Sequence, residues 1–276
     1  MLKQEDSKIA RAAIKTYLYL RILIIKQMDY KNDLKKIQSL KNKKFRKEFK
    51  QFIVEGDKII NEAIDSDFKI EAIWLNQDAD YKISEKAKQK GIDVKLVGQK
   101  WLERAGTLMS NKFGIALLQI PEEKKIEYNR GWVLALDSIN DPGNFGTIIR
   151  SAEWFGINTI ICSHNSVELY NPKVIMASKG SFLRLNILFK DLKEVLSGYQ
   201  GMVLAADMEG QNIHEMKLET KNGIILMGSE SHGISGELEK HINHKIHIPG
   251  NGQAESLNLA IATSIILDNL NRLELI

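Results

Sequence analysis

The sequence predicts an α/β protein in two parts, and three observations support that prediction. Short apolar segments alternate along the chain with segments whose apolar residues recur at helical spacing, a pattern typical of a mainly parallel sheet. A polar stretch at residues 122–131 interrupts this alternation and has the composition of a linker. After it, three glycine-bearing polar loops each follow a strand, at the edge where open parallel sheets bind ligands.

The composition is that of an ordinary globular protein. The 276 residues suffice for one large domain or two modest ones, and the apolar and charged fractions of 43% and 27% are average. The net charge of +4 is mild, so its local distribution matters more than the sum. The one cysteine, Cys162, excludes an intramolecular disulfide and a cysteine-rich zinc site. We therefore expect the protein to work in a reducing cytoplasm. We also expect the Cys162 thiol to be buried at a strand end.

Residues 1–28 stand apart from the predicted domains. Their apolar part, residues 14–28, is short and interrupted by Arg21 and Lys26, whereas a membrane-spanning helix needs about 20 apolar residues. No small-residue cleavage site of a signal peptide follows. Two interpretations remain: an extra amphipathic helix, or upstream sequence included by a start codon placed too early, with Met28 as the true start. We favour the second, which predicts that residues 1–27 pack poorly on the rest.

The first predicted domain, residues 29–121, alternates strands with helices after a basic beginning, and we expect its sheet to be mainly parallel. Turn residues and glycines separate the segments. The expected strands are 51–56, 69–75, 92–97 and 113–120, and the expected helices are 57–64, 82–91 and 98–110.

The beginning of this domain, residues 29–52, carries nine Lys and Arg against three acidic residues. Phe45 and Phe49 are four residues apart, so they can share one helix face that packs on the domain while the basic side chains point outward. A solvated helix face is one interpretation. A surface that follows an RNA phosphate backbone is the other.

The second predicted domain, residues 132–276, repeats the alternation with more apolar strands, as buried parallel strands require. Helix 144–156 has its apolar residues at helical spacing and ends at a glycine, and Pro172 begins the next helix. The expected strands are 132–137, 158–163, 183–189, 201–207, 223–229 and 244–250, and the expected helices are 144–156, 171–180, 191–199, 235–242 and 256–275.

Three loops of this domain are candidates for one shared site: "DSINDPGNFGTIIR" from residue 137, "MGSESHGIS" from residue 227 and "IPGNGQAESLN" from residue 248. Neither G-x-G-x-x-G after a strand nor a phosphate-binding G-x-x-x-x-G-K-[ST] occurs, so the usual nucleotide-binding folds are not supported. His241, His244 and His247 lie on both sides of a helix end and do not form a convincing metal site. No nucleophile elbow is present.

In order, spacing and strand context the three loops resemble the three signature motifs of the SpoU family of RNA ribose methyltransferases, in the SPOUT superfamily. The resemblance covers residues 132–270, and "KKFRKEFKQFIVEGDKIINEAI", residues 43–64, resembles the start of the small RNA-binding domain that often precedes them. It implies a C-terminal domain with a deep trefoil knot and a mainly parallel sheet, preceded by a small α/β ribosomal-protein-like RNA-binding domain. Knots are very rare, so only the resemblance suggests one.

The resemblance also implies a cofactor, partners and site residues. S-adenosylmethionine would bind in the knot, with Gly228, Ile248 and Leu257 at the family's cofactor-contacting positions. The partners would be structured RNA, ribosomal RNA first and transfer RNA second, and a second copy of the chain in a homodimer; no membrane and no metal are expected. Arg150 matches the catalytic arginine, and Asn144, Glu230, Ser256 and Asn258 match the polar residues of the motifs. Lys43, Lys44, Arg46 and Lys47 would contact RNA.

A guanidinium suits this chemistry, because it grips a phosphate with two donors and stabilises a developing alkoxide. Each residue also has a structural explanation: Asn144 or Ser256 can cap a helix, and Arg150 or Glu230 can be an ordinary surface charge. Two rival functions remain: an RNA-binding assembly or resistance factor without turnover, and a different α/β nucleotide-binding enzyme.

Overall fold

The computed structural model describes residues 30–78, 81–128 and 131–276, and the predictions for residues 1–28 lie outside the described residues. No helix in these three ranges is long and apolar enough to cross a membrane. The described residues contain two β-sheets, one of four strands and one of six. The smaller sheet lies on the N-terminal side of the predicted linker and the larger one on its C-terminal side.

The four-stranded sheet has the order β1-β4-β2-β3 and is mixed, so the prediction of a mainly parallel sheet here is wrong. Strand β4 runs antiparallel to β1 and β2, and only β2 and β3 are parallel. The helix after β3, which was expected to reach residue 110, ends at Ala105.

The elements of this part follow the predicted order, with one further helix on each side of Asn42. The strands are β1 (Gln51–Glu55), β2 (Ile70–Asn76), β3 (Asp93–Val97) and β4 (Gly114–Gln119), and the helices are α1 (30–39), α2 (Lys43–Phe49), α3 (Asp57–Asp65), α4 (Tyr81–Gln89) and α5 (Gln99–Ala105).

The six-stranded sheet has the order β10-β8-β9-β5-β6-β7, and every pair of neighbours in it is parallel, which confirms the predicted mainly parallel sheet. Strands β5, β6 and β9 are buried along their whole length, as their continuous apolar sequences predict. Cys162 is fully buried in β6, as predicted. The strands are β5 (Trp132–Leu136), β6 (Thr159–Ser163), β7 (Asn186–Lys190), β8 (Val203–Asn212), β9 (Gly223–Met227) and β10 (His244–His247).

The helices of the larger part are α6 (Pro142–Trp154), α7 (Pro172–Ser178), α8 (Leu192–Ser197) and α9 (Leu259–Arg272). The helix expected at 235–242 is only a 3₁₀ turn at Glu239–His241, so that prediction is wrong. The backbone N–H of Ser235, where it would begin, donates instead to the Asp137 carboxylate. The last helix begins at Leu259 rather than at residue 256, because the Asn258 side chain caps it.

The two parts pack directly against each other. Phe52 of β1 lies 4.3 Å from Tyr170 and 6.0 Å from Phe182, measured between ring centroids. Arg184 forms a 3.0 Å ion pair with Glu62 of α3. One apolar core is continuous across both sheets.

Candidate active site

The three predicted loops follow β5, β9 and β10 and lie at one edge of the six-stranded sheet. We call residues 137–141 the first loop, 228–235 the second and 248–258 the third. The first loop leads into α6, whose first turn contains Pro142 and is capped by the Asp141 side chain, which accepts the backbone N–H of Asn144 at 2.7 Å. Asn144 is therefore not the N-cap, and its side chain is available for other contacts.

A chain of side-chain hydrogen bonds joins the first turn of α6 to the second and third loops. The Asn144 amide donates to a Glu230 carboxylate oxygen of the second loop. The Asn258 amide, in the third loop, donates to the Asn144 carbonyl oxygen at 2.9 Å. The Asn258 carbonyl in turn accepts the backbone N–H groups of Ala260 and Ile261. The structure thus brings Asn144, Glu230 and Asn258 together, and the start of α9 orients the two amides toward the carboxylate.

Asp137 is a site residue that the sequence analysis did not identify. Its side chain is 4% exposed, and one carboxylate oxygen accepts the backbone N–H of Ser235 at 2.8 Å while the other accepts the Ser138 hydroxyl at 3.0 Å. It therefore holds the second loop against the end of β5. The sequence does contain a signal for this role. Asp137 comes directly after an apolar strand, and a carboxylate buried there needs hydrogen-bond donors nearby.

Arg150 lies on the exposed side of α6. No hydrogen bond or ion pair engages its guanidinium within the part of the chain that the structure describes. Six residues separate it from Asn144, so it lies about 9 Å further along the helix and is rotated by about 120°. Its donors are free for an external anion. Trp154, one turn further on, is 81% exposed.

Gly228 stands where the backbone of the second loop folds back on itself. A Cβ at Gly228 would lie 2.2 Å from the Gly233 carbonyl carbon and 2.4 Å from the Ile234 nitrogen. The fold-back is fixed by two backbone hydrogen bonds between Ser229 and Gly233, both 2.9 Å. Only glycine permits this approach.

The third loop offers unpaired backbone groups beside apolar side chains. Residues 249–257 donate and accept no backbone–backbone hydrogen bonds within the described ranges. Ile248 packs against the core, and Leu257 is 47% exposed. Free amide groups beside apolar surface suit a ligand with a purine ring and an amino-acid tail, so these residues fit S-adenosylmethionine. Ser256 is exposed and lies two residues before the helix cap.

Helix α2 buries a residue that was predicted to be exposed. Lys43, Lys44 and Lys47 are exposed, but Arg46 is 4% exposed and forms an ion pair with Glu168. The prediction that Arg46 contacts RNA is therefore replaced by a structural role. Phe45 and Phe49 stack on each other 5.8 Å apart without being buried, so the expectation that they fix the helix to the domain is wrong.

Two titratable groups near the site have shifted pKa values. The hydrogen bond from Arg184 lowers the pKa of the Glu153 carboxyl on α6, which favours its charged form. Burial raises the pKa of the Tyr170 phenol, so that side chain stays neutral. No group of three or more His, Cys, Asp and Glu side chains in the described ranges is arranged to hold a metal ion.

Comparison with known protein families shows which family this chain belongs to. The SpoU rRNA methylase family model matches residues 131–268, and a model for an MRM3-like substrate-binding domain matches residues 31–109. The chain belongs to the SpoU rRNA methylase family. It is accordingly an RNA ribose methyltransferase that depends on S-adenosylmethionine.

Known proteins of similar sequence and structure match this chain over most of its length. The 23S rRNA (guanosine(2553)-2'-O)-methyltransferase RlmP of Bacillus subtilis is 23% identical over 251 residues, which cover 86% of this chain and 99% of RlmP. An AdoMet-bound rRNA methyltransferase from Sinorhizobium meliloti has 28% identity and a TM-score of 0.78, covering 87% of this chain and 94% of that one. A TrmH-family protein from Porphyromonas gingivalis has 29% identity and a TM-score of 0.75, with coverage of 87% and 97%.

Proposed function

We propose that this SpoU methylase transfers a methyl group to one ribose 2′-hydroxyl of structured ribosomal RNA, with transfer RNA as the second candidate. The observation that carries the proposal is a contrast between two side chains of α6. Asn144 is held by Glu230 and Asn258, whereas Arg150 has no partner in the described chain. Ribosomal RNA is preferred because RlmP, which covers most of this chain, is named for that substrate. We propose the cytoplasm as the compartment in which it acts.

In this proposal Arg150 is the catalytic residue. Its planar guanidinium grips the phosphate beside the target ribose, and its positive charge stabilises the oxyanion that develops on the 2′-oxygen. The bound S-adenosylmethionine supplies an activated methyl group, so the protein's task is to place the hydroxyl and stabilise its charge. Asn144, Glu230 and Asn258 hold the nucleotide in position, and Ser256, two residues before Asn258 in the third loop, supplies a further hydroxyl contact.

Gly228, Ile248 and Leu257 are the proposed cofactor contacts. Gly228 supports the tight second loop, and Ile248 with Leu257 provides apolar surface beside the free backbone groups of the third loop. These groups hold the cofactor largely through the backbone.

A deep knot in the C-terminal part is also proposed. Strand β10 lies at one edge of the sheet, with β8 and β9 between it and β5, yet the following helix α9 packs on α6, where the Ser151 and Ser264 hydroxyls are 2.8 Å apart. The chain must cross the ends of β8 and β9 to reach that place. Chains usually avoid such crossings, and a threaded connection is one way to make it.

The smaller part is proposed to bind RNA and the enzyme to act as a homodimer. Lys43, Lys44 and Lys47 are exposed on one short helix near the active edge, and they suit contacts to phosphates rather than to bases. Trp154 on α6 and Ile261 on α9 are 81% and 54% exposed. Exposed apolar side chains on adjoining helices are typical of an interface between subunits.

Methyl transfer from labelled S-adenosylmethionine to total RNA of a strain without this protein tests the proposal. The label should map to one 2′-oxygen, and Arg150→Ala should abolish it, while Arg272→Ala, an exposed arginine at the end of α9, should not. A different result is that the protein binds S-adenosylmethionine and transfers no methyl group, either to free RNA or to ribosomal assembly intermediates. That result would support the non-catalytic assembly factor. A thermal shift with dinucleotides but not with S-adenosylmethionine would support the other nucleotide-binding enzyme.

A further inference from the structure

Arg46 is the one residue of α2 that is buried, although it sits among exposed lysines. Its Nε donates to Glu168 Oε1 at 2.5 Å, and Nη2 lies against the same oxygen. Its Nη1 donates to the Leu40 carbonyl at 2.6 Å. Each of the three guanidinium nitrogens therefore has a partner inside the chain.

Glu168 belongs to the loop between β6 and α7, and that loop is bonded to the first loop of the active site. The backbone N–H of Val167 donates to the Ile139 carbonyl at 2.7 Å, and the Ile139 N–H donates to the Ser166 hydroxyl at 3.2 Å. Asp141, two residues after Ile139, caps α6. A continuous set of contacts thus runs from the basic helix to the beginning of the helix that carries Asn144 and Arg150.

We propose that the Arg46–Glu168 pair is a positioning device which fixes the distance between the lysines of α2 and the reacting ribose, and so selects the nucleotide that is methylated. This inference rests on the proposed function. The lysines bind phosphates without regard to sequence, so the choice of nucleotide depends on where the active edge lies relative to them. An ion pair with two donors and a buried guanidinium holds that relation more rigidly than exposed lysines can, because its partners cannot separate without leaving the buried Arg46 charge unpaired.

A second ion pair between the two parts provides the matched comparison. Arg184 joins Glu62 of α3 at 3.0 Å and Glu153 of α6 at 2.9 Å, but its side chain is 44% exposed. Both ion pairs line the same cleft, of about 900 Å³, between the two parts. Solvent screens the Arg184 pair, and it does not contact the loop that leads to the first loop. We therefore expect it to have little influence on which nucleotide is chosen.

The experiment compares Arg46→Met, Glu168→Gln and the exchanged pair Arg46→Glu/Glu168→Arg with Glu62→Gln as control. Each is assayed well below its own melting temperature, with S-adenosylmethionine affinity measured to establish that the active edge is folded. Arg46→Met and Glu168→Gln should lower kcat by about tenfold to 100-fold, change KM for RNA less, and spread methylation to neighbouring riboses. The exchanged pair should recover part of the single-site selectivity, and Glu62→Gln should keep it.

Folded Arg46→Met protein that methylates the same single ribose with the wild-type kcat would overturn the inference and leave the proposed function intact. If the wild type itself transfers no methyl group, hydrogen exchange without RNA decides the matter. Exchange at residues 137–141 should then be faster in Arg46→Met than in Glu62→Gln. Equal rates in these two variants would show that Arg46 does not position the first loop.

Discussion

Helices α6 and α2 each carry an arginine near the middle of a polar surface, and the surroundings of the two arginines are opposite. Arg150 on α6 is exposed and has no partner within the described ranges, whereas Asn144, six residues before it on the same helix, is bonded to Glu230 and Asn258. Arg46 on α2 is buried and has a partner for each guanidinium nitrogen, and the exposed side chains of Lys43, Lys44 and Lys47 join no such network among the described residues. A charge without a partner is available for a substrate, whereas a buried charge must be satisfied by the protein itself.

The contrast separates two kinds of function. At α6 the protein fixes the polar groups and leaves one cation open, which suits catalysis. At α2 it fixes one cation and leaves several open, which suits binding along a phosphate backbone. Substitutions near α6 should therefore change turnover, and substitutions of the exposed lysines of α2 should change RNA affinity.

The largest effect is expected at Arg150. Arg150→Lys keeps the charge but loses the paired donors, so kcat should fall by about 100-fold to 1,000-fold, the usual cost of removing a donor to a developing oxyanion. The melting temperature and the S-adenosylmethionine affinity should not change, because the side chain is exposed and unpaired. A variant that keeps at least a tenth of the wild-type kcat would place Arg150 outside the reaction. Radiolabel transfer and a thermal melt measure both quantities.

Gly228→Ala should have the next largest effect. The added methyl would lie 2.2 Å from the Gly233 backbone, so the second loop must open, at a cost of about 1–3 kcal/mol. S-adenosylmethionine affinity, measured by calorimetry, should fall with it. Gly98→Ala at the start of α5, in the smaller part, is the control, since a Cβ there meets nothing within 4 Å. Equal affinities for the two variants would remove the second loop from the cofactor site.

Asn258→Ala tests whether the network around α6 is also structural. It removes the cap of α9 and a donor to Asn144, so the free energy of unfolding should decrease by about 1 kcal/mol, and turnover should decrease as well. Ser256→Ala should leave the thermal stability unchanged, because that residue precedes the cap. Denaturant unfolding of both variants measures the difference, and equal decreases would contradict the cap assignment.

The lysines of α2 should affect RNA binding and its salt dependence. Replacing Lys43 and Lys47 by alanine should lower the slope of log affinity against log salt by about 0.7 to 0.9 for each phosphate that these side chains neutralise in the wild type. The kcat at saturating RNA should stay the same. Lys100→Ala on α5 serves as the control in filter-binding assays across a salt series. An unchanged slope in the double variant would assign α2 to the solvated surface instead.

The smallest effect concerns the exposed pair of Glu153 and Arg184. Arg184 lowers the pKa of the Glu153 carboxyl from its usual 4.5, so the charged form stabilises the fold above about pH 4.5, and this contribution is lost as the pH falls through the lowered value. Arg184→Gln should therefore lower the free energy of unfolding by less than about 1 kcal/mol near neutrality. The difference from wild type should narrow in acid. Thermal melts at about pH 7 and about pH 3 measure it, and a difference that grows in acid would contradict the assignment.

The sequence by itself determined the parallel six-stranded sheet, the three loops at its edge and the family. These features depend on local patterns, namely continuous apolar strands, helix caps and glycines at fixed spacing. Only the tertiary structure decided which charges were free. Arg46 and Lys47 are indistinguishable in a basic run, and Glu168 lies 122 residues from Arg46 along the chain. The antiparallel β4 and the burial of Asp137 were likewise decided by contacts between distant segments. Local patterns specify which element forms, but whether a side chain is buried and paired depends on what the rest of the fold places against it.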